Sequence, residues 1–189
     1  MAISINELEY GMGLKIDGNI FVVQEYNHVK PGKGSAFVRV RIKNIKTDQV
    51  LERTFRSSES LDAIELEERK VQHLYKSSDG IHCMDLTSYE EVVVPETLLG
   101  DGIRFLQENL EMISVCHEHR ILQIILPNFI ISEIIHTEPG IKGDSSKSGG
   151  KPATIDTGAT VLVPLFINVG DFVKIDTRVG GEYVERVKR

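Results

Sequence analysis

The chain has 189 residues, 41% hydrophobic and 26% charged, with a formal net charge of −6, ordinary values for a globular protein that leave room for one or two average domains or three small ones of about 60 residues. No run of about 18 apolar residues exists, so no membrane span is expected, and "MAISINELEY" lacks the basic and apolar regions of a secretory signal. The negative balance excludes a general polyanion binder, and two cysteines, Cys83 and Cys116, are too few for a disulfide framework and predict a reduced, cytoplasmic protein.

In chain order the elements read mostly as strands. "NIFVVQEY" (19–26) is rich in β-formers and follows the turn Asp17-Gly18. "HVKPGKGSAF" (28–37) then sets Lys33 between Gly32 and Gly34, beside Pro31, a pattern that reads as a tight turn at the tip of a hairpin. In "AFVRVRIKNI", Val38, Val40 and Ile42 alternate with Arg39, Arg41 and Lys43, which puts the three cations on one strand face. "VLERTF" closes a first small antiparallel barrel, ending near residue 63.

"SSESLDAIELEERKVQHLY" is readable as a capped helix or as strands and is taken as strands. "GIHCMDL" and "YEEVVVP" are strands. Leu98, Leu99, Ile103, Leu106 and Leu110 fall near helical spacing, which predicts a short helix over 102–109. "MISVCHEHRILQIILP" returns to strands around a turn at 117–120, and a second boundary falls near Pro127. Beyond it, "FIISEIIHT" is a strand, 138–154 is a loop rich in Gly, Ser, Pro and Lys, and further strands join at Val169-Gly170 and Gly180-Gly181. Pro164 marks a strand edge or bulge. The expectation is a mainly β protein of three consecutive small barrels, OB-folds among the candidates, with one short helix in the middle unit.

The candidate chemistries narrow quickly. Gly32-Lys33-Gly34 fails the P-loop pattern, and no G-x-S-x-G elbow exists. "CHEH" (116–119), with His82 and Cys83 elsewhere, misses the paired ligand spacings of zinc sites, so no metal is expected. Charge distribution says more. Residues 64–128 hold five basic and twelve acidic residues, whereas 28–56 hold eight basic and two acidic. One basic section on an acidic protein suits a single nucleic-acid contact. With five Tyr, seven Phe and no Trp, backbone contact with a structured RNA is favoured over base stacking.

"VKPGKGSAFVRVRIKN" resembles the lysine-bearing loop of the bacterial elongation factor P family. "GIKGDSSKSGGKPATIDTGATVLVPLFINVGDFVKIDTRVGGEYVERV" is similar to that family's last domain nearly end to end. The resemblance covers essentially the whole chain. It implies an SH3-like (KOW-like) domain over 1–63 and two OB-folds over 64–127 and 128–189, in an L-shaped outline like that of tRNA. It further implies a cytoplasmic monomer, not an enzyme, that binds the ribosome and its rRNA between the P and E sites. There it stimulates peptide-bond formation at consecutive prolines by positioning the P-site peptidyl-tRNA.

On the same resemblance Lys33 is the tip that reaches the peptidyl-transferase centre, supported by Pro31, Gly32 and Gly34. Its covalent extension by a lysine-modifying enzyme is the one addition expected, with no separate cofactor. Lys30, Arg39, Arg41, Lys43 and Arg53 would face tRNA and rRNA. Gly143, Asp144, Ser145, Gly149, Gly150, Tyr183 and Arg186 would face the ribosome and mRNA from the last domain. Many members read Gly-Gln-Ala after the loop lysine; here it is Gly34-Ser35-Ala36, which leaves the type of modification open. Two other classes compete: a general RNA-binding OB protein acting off the ribosome, and an enzyme built on the middle unit's His/Cys residues.

Overall fold

The computed structural model describes every residue except Pro31, Lys33, Gly34, 139–149 and Arg189. Strands dominate, in three sheets. The first comprises β1 (Ala2–Ser4), β2 (Gly13–Ile16), β3 (Asn19–Val29), β4 (Phe37–Asn44), β5 (Val50–Arg56) and β6 (Ser60–Ile64), in the order β1-β6-β2-β3-β4-β5. The alternation in β4 does what its spacing predicts: Val38, Val40 and Ile42 are fully buried with Leu14 and Val23, while Arg39 and Arg41 face outward. Each such buried aliphatic contributes roughly 1.5–3 kcal/mol.

The second sheet contains β7 (Glu67–Ser77), β8 (Gly80–Asp85), β9 (Glu91–Val94), β10 (Glu111–His117) and β11 (Arg120–Ile125), ordered β11-β10-β7-β8-β9. The ambiguous stretch before it is strand, as β6 and β7. The turn at 117–120 is also present: Glu118 and His119 both take positive φ, 47° and 65°, the geometry of a two-residue hairpin turn whose twist matches its strands. The third sheet holds β12 (Phe129–Thr137), β13 (Lys151–Ile155), β14 (Thr160–Val163), β15 (Phe172–Asp176) and β16 (Glu182–Val187), ordered β14-β13-β12-β15-β16. Strand β14 stops at Val163, immediately before Pro164, which has no N–H to continue a ladder.

By internal contacts the chain forms two compact units, Met1–Arg69 with Ser114–Gln123, and Lys70–Ile113 with Ile124–Arg189. In the first, a small cluster of Ile45, Val115 and Leu122, flanked by Ile20, Val22 and Leu66, is separate from the core of the first sheet. In the second, Phe105 is 2% exposed and packs among Ile130, Ile134, Val161 and Ile175.

The expected helix over 102–109 is corrected. No α-helix occurs among the described residues; the segment is a short 3-10 turn at Glu96–Leu98 and a second at Gly100–Phe105. Gly100 sits at φ +50° and Asn109 at +62°, and Leu106 is extended, so an α-helix cannot run through 106–109. The apolar residues serve packing instead: Phe105 drops into the core, and Arg104 donates to the Gly180 carbonyl at 2.7 Å. The Gln107 amide donates to the Ile131 carbonyl at 2.9 Å and to Ser132 Oγ at 2.7 Å. Gly181 completes the joint. Its φ is +93°, and a Cβ there would stand 2.6 Å from Phe105 Cζ, so only glycine fits.

Candidate nucleic-acid interface

Strands β3 and β4 pair down to Val29 opposite Phe37, so residues 30–36 close this hairpin and position 33 is their midpoint in sequence. Lys33, Pro31 and Gly34 themselves lie outside the described residues. Lys30 and Gly32 are exposed. A Cβ at Gly32 would meet nothing within 4 Å, so packing within the described residues does not demand glycine there.

Behind the loop, the outer face of β3-β4-β5 is set by ladder register. Arg39 lies between Asn27 and Thr54, and Arg41 between Glu25 and Glu52. Cross-strand neighbours on one face are near enough to interact electrostatically: two carboxylates stand directly opposite Arg41 and none directly opposite Arg39, although Glu25 and Glu52 line a groove with both arginines. Among the described residues neither arginine has a carboxylate at ion-pair distance. Arg39 lies instead over the Phe37 ring, 5.9 Å from its centre. Ser35, Phe37, Arg39, Thr54 and Arg56 line one shallow groove at the loop end of the sheet.

The other expected cations are placed differently. Lys43 shares the face of Arg39 and Arg41 but bonds Asp48 at 2.5 Å. Arg53 is opposite Val40, hence on the reverse face of the sheet, and its guanidinium is 3.4 Å from Asp17. The face is therefore mixed in sign toward the far end and basic toward the loop. Arg56, which the sequence offers only as one of eight cations, belongs with Arg39: it is opposite Phe37, and its side chain faces the same groove.

In the last domain Gly143, Asp144, Ser145 and Gly149 lie outside the described residues. Gly150 precedes β13, where a Cβ would stand 3.2 Å from the Val163 carbonyl oxygen. Tyr183 is opposite Ile175 and packs against the core. Arg186 is 3.7 Å from Asp171.

The His/Cys residues of the middle unit do not converge. Cys83 and Cys116 are both buried and unpaired, and burial pushes the Cys83 thiol up to about 11, far from a reactive thiolate. His117 donates from Nδ1 to the Glu65 carbonyl at 2.8 Å. No group of three or more metal-ligating side chains is arranged to hold an ion among the described residues. No described helix is long and apolar enough to cross a membrane.

Comparison with known proteins finds three successive matches. Residues 4–61 match the elongation factor P KOW-like domain, 66–124 its OB domain and 130–186 its C-terminal domain. The chain is 42% identical over 184 residues to elongation factor P of Desulfitobacterium hafniense, covering 97% of this chain and 99% of that one. It is 45% identical over 176 residues to elongation factor P of Thermosynechococcus vestitus, covering 93% and 95%. Among solved structures, a translation initiation factor eif-5a family protein from Naegleria fowleri superposes with a TM-score of 0.50 at 16% identity, covering 67% of this chain and 98% of that one, a likeness of fold.

Proposed function

The chain belongs to the elongation factor P family and is a translation elongation factor, and from that premise we propose that it relieves ribosomes stalled at consecutive prolines by steadying the P-site peptidyl-tRNA. Arg39 carries this reading: an exposed cation, free of carboxylate partners among the described residues, beside the loop that holds Lys33. Phosphate contacts fix the register of a protein on RNA; Arg39 and Arg56 would supply them from the β4-β5 groove, with Lys30 adding charge at the loop. Lys33 then extends toward the peptidyl-transferase centre, a position that needs reach, charge and small neighbours. Gly32, which packing among the described residues does not require, suits close approach to RNA.

Proline is a secondary amine held in a ring and attacks poorly. A factor that holds the peptidyl-tRNA end in attacking geometry lowers the entropic part of the barrier. In this reading the protein makes and breaks no bond; it works in the cytoplasm, takes rRNA and peptidyl-tRNA as partners, and accepts a covalent extension on Lys33 from a modifying enzyme. The last-domain loop, with Gly143, Asp144, Ser145, Gly149 and Gly150, would face the ribosome and mRNA, whereas Tyr183, Arg186, Lys43 and Arg53 act chiefly through the packing and ion pairs described above.

Ribosome binding of Arg39→Glu tests the interface. Weakened binding with an unchanged melting temperature is expected. Full-strength binding by a folded Arg39→Glu protein would remove Arg39 from the contact.

A further inference from the structure

We propose that His82 is a charged imidazolium at neutral pH, a staple that fastens edge strand β9 to β8 and to the β7–β8 turn, so that this corner of the middle sheet loosens on the alkaline side of neutrality. His82 lies in β8 between its ladder partners Tyr75 of β7 and Val93 of β9, its side chain only 10% exposed. Nδ1 is 2.5 Å from Glu91 Oε1, and Nε2 is 2.9 Å from Asp79 Oδ1. An ionised carboxylate can only accept, so both ring nitrogens carry hydrogen and the ring is cationic.

The surroundings are built around that charge. Tyr75 stacks on the imidazole at 4.4 Å with the planes 12° apart, and its hydroxyl donates to the same Glu91 oxygen at 3.0 Å. The Ser77 hydroxyl donates to Asp79. The charged groups facing the ring are thus Asp79 from the turn and Glu91 from β9, while β7 presents only the neutral Tyr75 and Ser77; Lys76, next along β7, pairs with Glu96 at 3.0 Å.

Ser77, His82 and Glu91 resemble a hydrolytic triad in composition, with Ser77 Oγ 3.2 Å from Nε2. They cannot act as one, because Asp79 holds the Nε2 proton and leaves no lone pair to receive the serine's.

The titration follows from the contacts. The Asp79 and Glu91 bonds raise His82 above the usual histidine value. Bonds from Ser77 and His82 hold Asp79 down at about 2, and those from His82 and Tyr75 lower Glu91. A raised histidine stabilises in full below its unfolded value of about 6.5 and loses that contribution as pH rises through the folded value. The lowered carboxylates act in the opposite sense: their contribution is present above the ordinary carboxylate range of about 4 and is lost only as pH falls through their folded values. Loss of the imidazolium proton leaves two carboxylates facing a neutral ring with one donor between them.

The test is an NMR titration of the His82 ring in the full chain from pH 5 to 10, its signal identified by its loss in His82→Gln. Amide exchange of Val92, Val93 and Val94 is followed alongside and corrected for intrinsic base catalysis. The expected result is a midpoint on the alkaline side of neutrality that moves back toward the ordinary value of about 6.5 in Asp79→Asn/Glu91→Gln, with protection of β9 falling as pH passes the midpoint. A wild-type midpoint below neutrality, or β9 protection that ignores it, would overturn the proposal. The wild-type titration decides this even if Asp79→Asn/Glu91→Gln fails to fold.

Discussion

Arg39 and Arg41 differ by two positions on one strand, yet their neighbours give them different work. Arg41 stands between Glu25 and Glu52, whereas Arg39 stands between Asn27 and Thr54. Replacing Arg39 by Ala should lower ribosome affinity and reduce the slope of log affinity against log salt by about one, the signature of one lost phosphate contact. Arg41→Ala should move both less, and both variants should keep stability within about 0.5 kcal/mol, since they are exposed surface changes. Ribosome binding measured across a salt series, with thermal melts of each variant, checks this; an equal loss for the two arginines would contradict the register argument. Period-2 alternation made the outward set legible in the sequence. It could not show that Lys43 meets Asp48 or that Arg53 meets Asp17, because those partners come from other strands and turns. The same limit hid Arg56, whose place beside the groove depends on its being opposite Phe37.

At the scale of elements, the strands were readable and the one expected helix was not. A run such as Leu98, Leu99, Ile103, Leu106 has near-helical spacing, but spacing is silent on which hydrophobic core will take the side chains. Here Phe105 packs with residues of the third sheet, and Gly100 and Asn109 take the backbone out of helical geometry. Phe105→Ala should cost roughly 3–5 kcal/mol, the range for emptying a buried aromatic site. Gly181→Ala should also destabilise, since its Cβ meets the Phe105 ring and its φ is positive. The two positions touch, so their effects should not add: the double variant should lose less than the sum of the single losses. Denaturant unfolding of the three variants measures this, and strict additivity would separate Gly181 from the Phe105 ring. The His82 staple lies at this scale too. Its components, Ser77, Asp79, His82 and Glu91, are spread over fifteen positions of sequence, and no spacing rule unites them; the β7–β8 and β8–β9 pairings do.

For the whole molecule, the uneven charge is the property that separates the competing readings. A chain with net charge −6 and a basic groove at the loop end of its first sheet should bind a ribosome that offers a shaped site and ignore free RNA, because non-specific affinity grows with the number of phosphates neutralised. Titration of naked structured and single-stranded RNA at moderate salt should show no saturable binding; tight, steeply salt-dependent binding would favour the off-ribosome reading. The most direct test of the central claim is synthesis of a reporter with three consecutive prolines in a reconstituted translation system. This protein, purified from its native source, is compared there with Lys33→Ala, and a proline-free reporter serves as control. The account predicts that the native protein relieves the stall, that Lys33→Ala does not, and that both leave the control unchanged. Equal rescue by a folded Lys33→Ala protein would contradict it.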